Sequence, residues 1–274
     1  MLKTNNFSVV MSVYNGDIPQ FLKEAYISVI EQSLVPSEIV IIVDGPVGAS
    51  LKEEIKRIAT NKIVNCIWLE VNMGRGAARD IGILNAKNTI IALMDADDVS
   101  DHRRFEEQFS VMKNSDYDVI GGYISEFKSY PEESFLIRKV PLFHSEIVKR
   151  GKFIQPMNHV TIMFNKYIYT KVGGYKNLKF IEDYDLIYRL ISIGAKFTNI
   201  PKILVNVRVS NDQYHRRKGI NYFLEEVKLQ NEMYRSKYIS LFILIRNLLI
   251  RLIIRFLPTF IFKFITKNFL RKSV

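Results

Sequence analysis

Three aspartates, Asp95, Asp97 and Asp98, follow directly after the apolar run at 89–94. A short apolar run of this kind is typical of a buried strand, so these carboxylates are expected at the edge of a sheet. Crowded carboxylates favour a bound cation, and Mg²⁺ or Mn²⁺ typically takes one or two of them together with water and substrate phosphates. The alternative is a solvated turn before the next helix, because so short a motif recurs by chance.

Four apolar runs are predicted to be strands that alternate with helices. The strands are expected at 7–13, 38–43, 63–69 and 89–94, and the helices at 19–33, 51–60, 75–86 and 101–112. Such alternation predicts a parallel sheet with helices on both faces.

Polar residues stand where each predicted strand ends. Tyr14, Asp44 and Asn72 follow the first three strands, and the acidic cluster 95–98 follows the fourth. In open parallel sheets ligands bind beyond the carboxyl ends of the strands. We therefore expect these four groups of residues to border one cleft.

The alternation stops after a predicted strand at 117–127. The segment from there to 152 has no clear period and contains Pro131 and Pro141, which indicates a loop that covers a site or borders an acceptor. Beyond it, strands are predicted at 160–165 and 197–209, and helices from Glu182 onward and at 219–234.

Five short motifs occur in a fixed order along the chain. They are SVYN at 12–15, VDG at 43–45, NMG at 72–74 with ARDIG at 78–82, DADD at 95–98, and ED at 182–183. Together they resemble the inverting glycosyltransferases of family 2 over residues 7–220. The resemblance implies an α/β protein with the GT-A fold, a Rossmann-like nucleotide-diphospho-sugar transferase fold with a mixed sheet flanked by helices. It divides the chain into a GT-A domain, 1–220, and a basic amphipathic helical tail, 221–274.

The resemblance implies roles at the donor end of the cleft. The nucleotide-binding residues would be Ser12, Tyr14, Asp44, Arg79 and Asp95. Tyr14 would stack on the base, Asp44 would accept a hydrogen bond from the uracil N3–H, and Arg79 would reach the base or the diphosphate. Asp97 would bind Mn²⁺ or Mg²⁺ directly, with Asp95 at the ribose or in the water shell of the metal. Such an ion neutralises the departing nucleotide diphosphate.

Asp183 matches the catalytic base of the family, which takes a proton from the acceptor hydroxyl, and Glu182 would orient it. The acceptor and diphosphate would be bordered by His159, Thr161, His215 and Arg217. Attack opposite the leaving group inverts the anomeric carbon, so an α-linked UDP-sugar would give a β-glycoside. The alternative for the acidic pair is a favourable charge at the start of a helix.

The net charge of +11 is concentrated near the C-terminal end. No acidic residue follows Glu232, whereas nine basic residues do. Between 238 and 270 these residues interrupt the apolar stretches, so no uncharged run reaches the roughly 20 residues of a membrane-spanning helix. Two sets spaced by four residues, Arg251 with Arg255 and Lys263 with Lys267 and Arg271, predict basic faces on interfacial helices. The alternative is a helical pair that packs on the catalytic domain with cationic faces exposed.

An enzyme at the anionic inner leaflet suits a lipid-carried acceptor. We predict transfer of one hexose, Gal or Glc, from a UDP-sugar to an undecaprenyl-diphosphate-linked saccharide such as GlcNAc, in O-antigen, capsule or exopolysaccharide synthesis. The single Cys66 and the polar N-terminus predict a cytoplasmic enzyme, peripheral on the inner face of the cell membrane. The alternative function is a non-catalytic nucleotide-sugar-binding protein. Nucleic acid is not an expected partner, because the basic residues accompany an apolar tail rather than a folded platform.

Overall fold

The computed structural model describes residues 6–210, 218–258, 261 and 272–273. The strands are Phe7–Val13 (β1), Glu38–Val43 (β2), Val64–Trp68 (β3), Ile90–Asp95 (β4), Val99–Ser100 (β5), Val119–Phe127 (β6), Leu136–Arg138 (β7), Met163–Asn165 (β8), Phe197–Arg208 (β9) and Lys272–Ser273 (β10). The helices are Pro19–Ile30 (α1), Ala49–Ile58 (α2), Arg75–Asn85 (α3), Arg104–Asn114 (α4), His144–Gly151 (α5), Lys166–Lys171 (α6), Glu182–Ser192 (α7), Ile220–Arg235 (α8) and Leu241–Phe256 (α9).

The N-terminal half forms the predicted parallel sheet, with its strands in the order β3-β2-β1-β4. All six residues of β2 are buried, as expected for a strand covered by helices on both faces. Alternate residues enter two hydrophobic clusters, so that Val40 and Ile42 pack on one face while Ile39 and Ile41 pack on the other. This arrangement places the ends of β1, β2 and β4 side by side.

The C-terminal half makes the sheet mixed, which confirms the predicted sheet type. β8 is antiparallel to both β4 and β6, and β9 runs parallel to β6. β9 also pairs with the two-residue β5, where Val99 lies opposite Asn206. Its end is thereby brought beside the acidic cluster at the exit of β4.

The segment 128–152, for which no regular structure was predicted, contains the strand β7 and the helix α5. α5 is only eight residues long and buries Ile147 as its one large apolar side chain, which leaves almost no periodic signal. The strand predicted at 160–165 is wrong in its first half. His159–Thr161 forms a 3₁₀ turn closed by the Thr161 hydroxyl, which donates to the Asn158 carbonyl at 2.7 Å, and β8 begins only at Met163.

α8 and α9 pack against α7 across the predicted boundary at 220. The cluster that joins them includes Tyr184 and Tyr188 from α7, Leu229 and Met233 from α8, and Leu244 from α9. Among the described helices, none is both long enough and apolar enough to cross a membrane.

The prediction that Arg251 and Arg255 present a basic face to the outside is wrong. Arg251 is only 7% exposed, and its Nε lies 3.2 Å from a carboxylate oxygen of Glu226. Arg255 donates to both oxygens of that same carboxylate, at 2.7 and 2.8 Å. The buried Glu226 on α8 therefore draws this face of α9 inward. Lys263, Lys267 and Arg271 lie outside the described residues.

Candidate functional site

The ends of the parallel strands bring the predicted donor-site residues together. Ser12 lies directly opposite Asp95 in the register of β1 and β4, and Asp44 follows the end of the neighbouring β2. Tyr14 follows β1 with its side chain 44% exposed, while its backbone N–H donates to the Asp17 carboxylate at 2.9 Å. The exposed ring is free to stack on a flat ligand at this edge of the sheet.

Asp44 holds a turn that the sequence motif does not reveal. Its carboxylate accepts from the backbone N–H groups of Met73 at 2.7 Å and Gly74 at 3.0 Å, and its carbonyl accepts from the Asn72 amide at 3.0 Å. Gly45 has φ +84° and lies so close to the Asn72 backbone that a Cβ would stand 2.6 Å from its nitrogen. Only glycine fits there without strain. Asp44 therefore shapes the wall beside Tyr14.

Arg79 is buried, with 4% of its surface exposed, and forms an ion pair with Asp95. Its other terminal nitrogen lies 3.9 Å from Glu182. Burial acts to raise the pKa of Asp95, but Arg79, helped by Arg75, outweighs it and holds that pKa below its usual range. Arg79 thus links the exit of β4 to the start of α7, instead of reaching out toward a ligand as the family resemblance implied.

The acidic cluster has an additional member, Asp17, which the sequence motifs did not include. Burial, together with the negative charges of Asp97 and Asp95, raises the pKa of Asp17 to about 7. In the described parts of the chain, no three His, Cys, Asp or Glu side chains form a ready metal centre by themselves. Mg²⁺ or Mn²⁺ bound at Asp97, near Asp95, would have to take its remaining ligands from water and a diphosphate, a donor set that these ions accept.

Arg208 at the end of β9 fixes the backbone of the acidic cluster. Its guanidinium carbon lies 3.8 and 4.6 Å from the ring centroids of Phe21 and Phe127. Its Nε donates to the Asp97 carbonyl at 3.1 Å, and its backbone N–H donates to the Asp98 carboxylate at 2.9 Å. Burial, followed by the charge of Asp97, raises the pKa of Asp98 well above its ordinary value. Asp98 is thus a structural anchor for β9, whereas the side chain of Asp97 remains partly exposed.

A buried arginine lies beneath the same strand. Arg104 is fully buried, and its guanidinium donates to the carbonyls of Leu93 at 2.7 Å and Val160 at 3.1 Å. Gln108, one turn later on α4, donates to the carbonyl of Thr161 at 2.7 Å. Burial lowers the pKa of Arg104 to about 9, which leaves it charged at neutral pH. This pair ties the strand that carries the aspartates to the turn that carries His159.

Glu182 and Asp183 begin α7 on the opposite side of the cleft. Glu182 is buried, and its Oε1 accepts from Arg75 Nε at 2.6 Å. The Arg75 side chain is more than half exposed, so it can meet a further anion at the same time. Burial raises the pKa of Glu182, and Arg75 opposes that rise.

Asp183 is electrostatically prepared to be a base. Burial acts to raise its pKa, but His159, Arg75 and the Tyr184 backbone N–H, which donates at 2.7 Å, bring the net shift below the usual range. Asp183 is therefore ionised at neutral pH and able to accept a proton.

His159 and Thr161 have different placements. His159 Nε2 lies 2.6 Å from the Tyr175 hydroxyl, and the ring is close enough to Asp183 to feel its charge. Thr161 is completely buried, and its hydroxyl already donates to Asn158 and accepts from the Gly122 backbone N–H at 3.0 Å. The prediction that Thr161 borders the acceptor is therefore wrong, because its side chain closes the turn. His215 and Arg217 lie outside the described residues.

Several buried polar atoms around Asp183 have no hydrogen-bond partner among the described residues. They are Glu182 Oε2, His159 Nδ1 and both amide atoms of Gln155, whose side chain approaches Asp183. Buried polar groups normally find a partner, because leaving one unsatisfied costs about 1–3 kcal/mol. A ligand rich in hydroxyl groups would satisfy all three residues.

The position of His159 gives a pH-dependent stability. Burial, followed by the charge of Arg79, lowers the pKa of His159 to about 4. This folded-state pKa lies below the unfolded value of about 6.5, so protonation favours the unfolded chain. The contribution of His159 to the free energy of unfolding is therefore complete above pH 6.5 and is lost as the pH falls toward 4, a decrease of up to about 3 kcal/mol. The charged and titratable groups that face it are Arg79, Arg75, Asp183, Asp95 and Tyr175.

We expect the His159→Gln variant to lose less stability than the parent protein between pH 6.5 and pH 4. Urea unfolding followed across this range measures the difference. His102→Gln, at an exposed position, is the matched control and should follow the parent curve. Parallel curves for the parent and His159→Gln would contradict the assignment.

Comparison with known proteins places these features in context. Residues 8–173 match the family model described as Glycosyl transferase family 2. The chain is 36% identical to the Escherichia coli UDP-Gal:alpha-D-GlcNAc-diphosphoundecaprenol beta-1,3-galactosyltransferase. The alignment spans 238 residues and covers 86% of each of the two proteins. The chain is 34% identical to the amylovoran biosynthesis glycosyltransferase AmsE of Erwinia amylovora, covering 81% of this chain and 84% of AmsE.

Solved structures show the same fold. TarS 1–349 from S. aureus in complex with UDP-GlcNAc matches with a TM-score of 0.65 at 13% identity, over 83% of this chain and 66% of that one. The mannosyltransferase PcManGT from Pyrobaculum calidifontis, in complex with GDP-Man and Mn²⁺, matches with a TM-score of 0.62 at 14% identity. This match covers 84% of this chain and 64% of PcManGT. The chain thus spans less than two thirds of either solved chain. At this identity the likeness concerns the fold, and it confirms the predicted GT-A architecture.

Proposed function

This chain belongs to glycosyltransferase family 2, and we propose that it is an inverting transferase that moves one hexose, Gal or Glc, from a UDP-sugar. The acceptor is a saccharide such as GlcNAc carried on undecaprenyl diphosphate, and the new bond is a β-glycoside. The reaction belongs to O-antigen, capsule or exopolysaccharide synthesis. The names of the E. coli and Erwinia relatives support this context.

The observation that carries the proposal is the ionised Asp183 among unpartnered polar atoms. An acceptor sugar placed there would bond to Glu182 Oε2, His159 Nδ1 and the Gln155 amide, with its reactive hydroxyl directed at Asp183. Asp183 takes the hydroxyl proton as the acceptor oxygen bonds to the anomeric carbon. The bond from that carbon to the diphosphate oxygen breaks on the opposite side, which inverts the centre and releases UDP.

The donor end of the cleft would position the nucleotide. The exposed Tyr14 ring stacks on the base beside the turn held by Asp44, and Ser12 and Asp95 face the ribose. Asp97 would hold Mn²⁺ or Mg²⁺ when bound, and that ion would neutralise the diphosphate. The exposed end of Arg75 lies where it can meet a diphosphate oxygen, while Arg79 keeps Asp95 and Glu182 in register. His215 and Arg217 remain our proposed residues for contacting the diphosphate.

A lipid-linked acceptor implies a location at the inner face of the cell membrane, with the catalytic residues in the cytoplasm. The exposed apolar side chains of α9 support such a location. The proposed partners are therefore the UDP-sugar, the lipid-linked saccharide and an anionic membrane surface.

The test is an assay of purified protein with Mn²⁺, a panel of UDP-sugars and a GlcNAc diphosphate that carries a short, water-soluble lipid. We expect the mass of the acceptor to rise by one hexose with UDP-Gal or UDP-Glc. Binding of UDP-sugars without any transfer, to this or to related acceptors, would instead favour a nucleotide-sugar-binding protein.

A further inference from the structure

The helix α9 is amphipathic with its apolar side turned away from the protein. The outward side carries Phe242, Ile245, Leu249, Leu252, Ile253 and Phe256, and we call these six residues the apolar face. Each of them is at least 44% exposed, and Phe242 is 78% exposed. Their spacing of three and four residues places them in one stripe along the helix. A contiguous exposed apolar stripe of this kind marks an interaction surface.

The opposite side of α9 is buried, and beside Leu244 it carries the polar residues Asn247 and Arg251. Asn247 donates to Gln230 on α8 at 2.7 Å and to the Lys152 carbonyl at 2.8 Å. Arg251 pairs with Glu226 and donates to the Phe153 carbonyl at 2.8 Å. These contacts determine the rotation of the helix, because turning it over would bury six apolar side chains only by breaking the hydrogen bonds of Asn247 and Arg251 and the ion pairs with Glu226.

We propose that the apolar face is a membrane-docking surface that lies in the outer part of an anionic phospholipid bilayer, with the axis of α9 parallel to the membrane. The stripe is the convex outside of a single helix and contains no charge, which suits a fluid apolar phase. Three exposed basic residues close to the apolar face in sequence form what we call its basic rim, namely Arg235 at the end of α8, Lys237 just after it and Arg246 on α9. No acidic residue follows Glu232 in the sequence. This rim is complementary to anionic headgroups. A second copy docked through the same face would instead bring identical basic rims together.

This docking mode differs from electrostatic attachment through Arg251 and Arg255. Both arginines are engaged by Glu226 inside the protein, so they are not available to headgroups. Insertion of the apolar side chains supplies most of the affinity, and the rim adds a smaller part. Membrane binding should therefore weaken only a few-fold between low and high salt, whereas attachment by charge alone would be lost.

The buried side of α9 also connects the docking surface to the acceptor side of the cleft. The carbonyls that it binds, on Lys152 and Phe153, belong to the segment that places Gln155 beside Asp183. This part of the inference rests on the proposed function, but the docking surface itself does not.

The test compares the full-length protein with the triple variant Ile245→Ser, Leu249→Ser, Ile253→Ser. These three side chains point outward, so the fold and the thermal midpoint should be retained. The matched control replaces three exposed apolar residues elsewhere, Phe143, Tyr167 and Ile193, by Ser. Sedimentation with vesicles of phosphatidylethanolamine and phosphatidylglycerol should show at least about tenfold weaker binding for the α9 variant alone. Both variants should still transfer sugar to the short-lipid acceptor.

Four results would overturn the inference. If the full-length parent protein fails to bind these vesicles, the face is not a membrane surface. Unchanged binding by the α9 variant, or binding that high salt abolishes, would assign attachment to charge. A stable dimer of the parent protein that the α9 variant dissociates would assign the face to a second copy. Absence of transfer together with the expected vesicle binding would instead refute the proposed reaction and leave the docking surface standing.

Discussion

Replacing Asp183 by Asn should lower the turnover number by about 10²–10⁴-fold, the range that general-base catalysis typically contributes. The Asn side chain keeps the size of Asp and can still accept the Tyr184 N–H, so the start of α7 should stay intact. It cannot take a proton from the acceptor hydroxyl. Binding of UDP, measured by calorimetry, should therefore remain within a few-fold of the parent value while product formation is lost.

The control for this variant is Asp116→Asn. Asp116 is an exposed aspartate whose carboxylate pairs with Lys196, just beyond the C-terminal end of α7, whereas Asp183 lies at the start of that helix. The Asp116→Asn variant should transfer sugar at the parent rate. If Asp183→Asn also transferred at the parent rate, the base would have to be another group, and the mechanism proposed here would fail.

The pH profile provides an independent check on the same residue. Because His159, Arg75 and the Tyr184 N–H bring the pKa of Asp183 below its usual range, the base stays ionised down to acid pH. Turnover limited by this residue should consequently be flat from neutral pH downward until the protein itself loses stability. A loss of turnover near pH 6 in a folded enzyme would show that a group other than Asp183 limits the reaction, and Asp17, whose pKa is raised to about 7, would be the first candidate.

The parallel half of the fold could be predicted closely because its signal is local. The strand expected at 38–43 is β2 with the same bounds, and the run at 89–94 differs from β4 by one residue at each end. Continuous apolar runs between turns require nothing from the rest of the chain. The acidic pair at the start of α7 and the aspartates at the exit of β4 stand out as motifs for the same reason.

The residues that connect these motifs could not be predicted in this way. Arg104 reads as an ordinary polar residue near the start of a helix, yet it is fully buried because two carbonyls from distant segments need its guanidinium. Arg208 likewise acquires its role only when β9 pairs with β5 and brings it to Asp97. Both arginines contact a residue more than 50 positions away in the sequence, Val160 for Arg104 and Asp97 for Arg208. No local sequence pattern encodes such contacts.

The error at α9 has a specific physical cause. The spacing correctly predicted an amphipathic helix, but the side that is buried depends on the neighbouring helix. Glu226 and Gln230 lie four residues apart on α8 and form a buried polar stripe that matches Arg255, Arg251 and Asn247. That pair of polar residues on an otherwise ordinary helix was the available signal. A basic stripe faces water only when no buried carboxylate competes for it.

The Asp97→Asn variant should lower turnover by at least about 100-fold and remove its dependence on added Mn²⁺. Neutralising the leaving diphosphate is worth several kcal/mol, and each tenfold step in rate corresponds to 1.36 kcal/mol. The fold should be retained, because Arg208 contacts the backbone carbonyl of Asp97, which the substitution leaves unchanged. Asp101→Asn, at an exposed position beyond the cluster, is the matched control. Calorimetry should show that Mn²⁺ strengthens UDP binding to the parent and to Asp101→Asn but not to Asp97→Asn. A parent enzyme that keeps full activity after chelation and dialysis would show that charge neutralisation comes from Arg75 and its neighbours, and the metal assignment would have to be withdrawn.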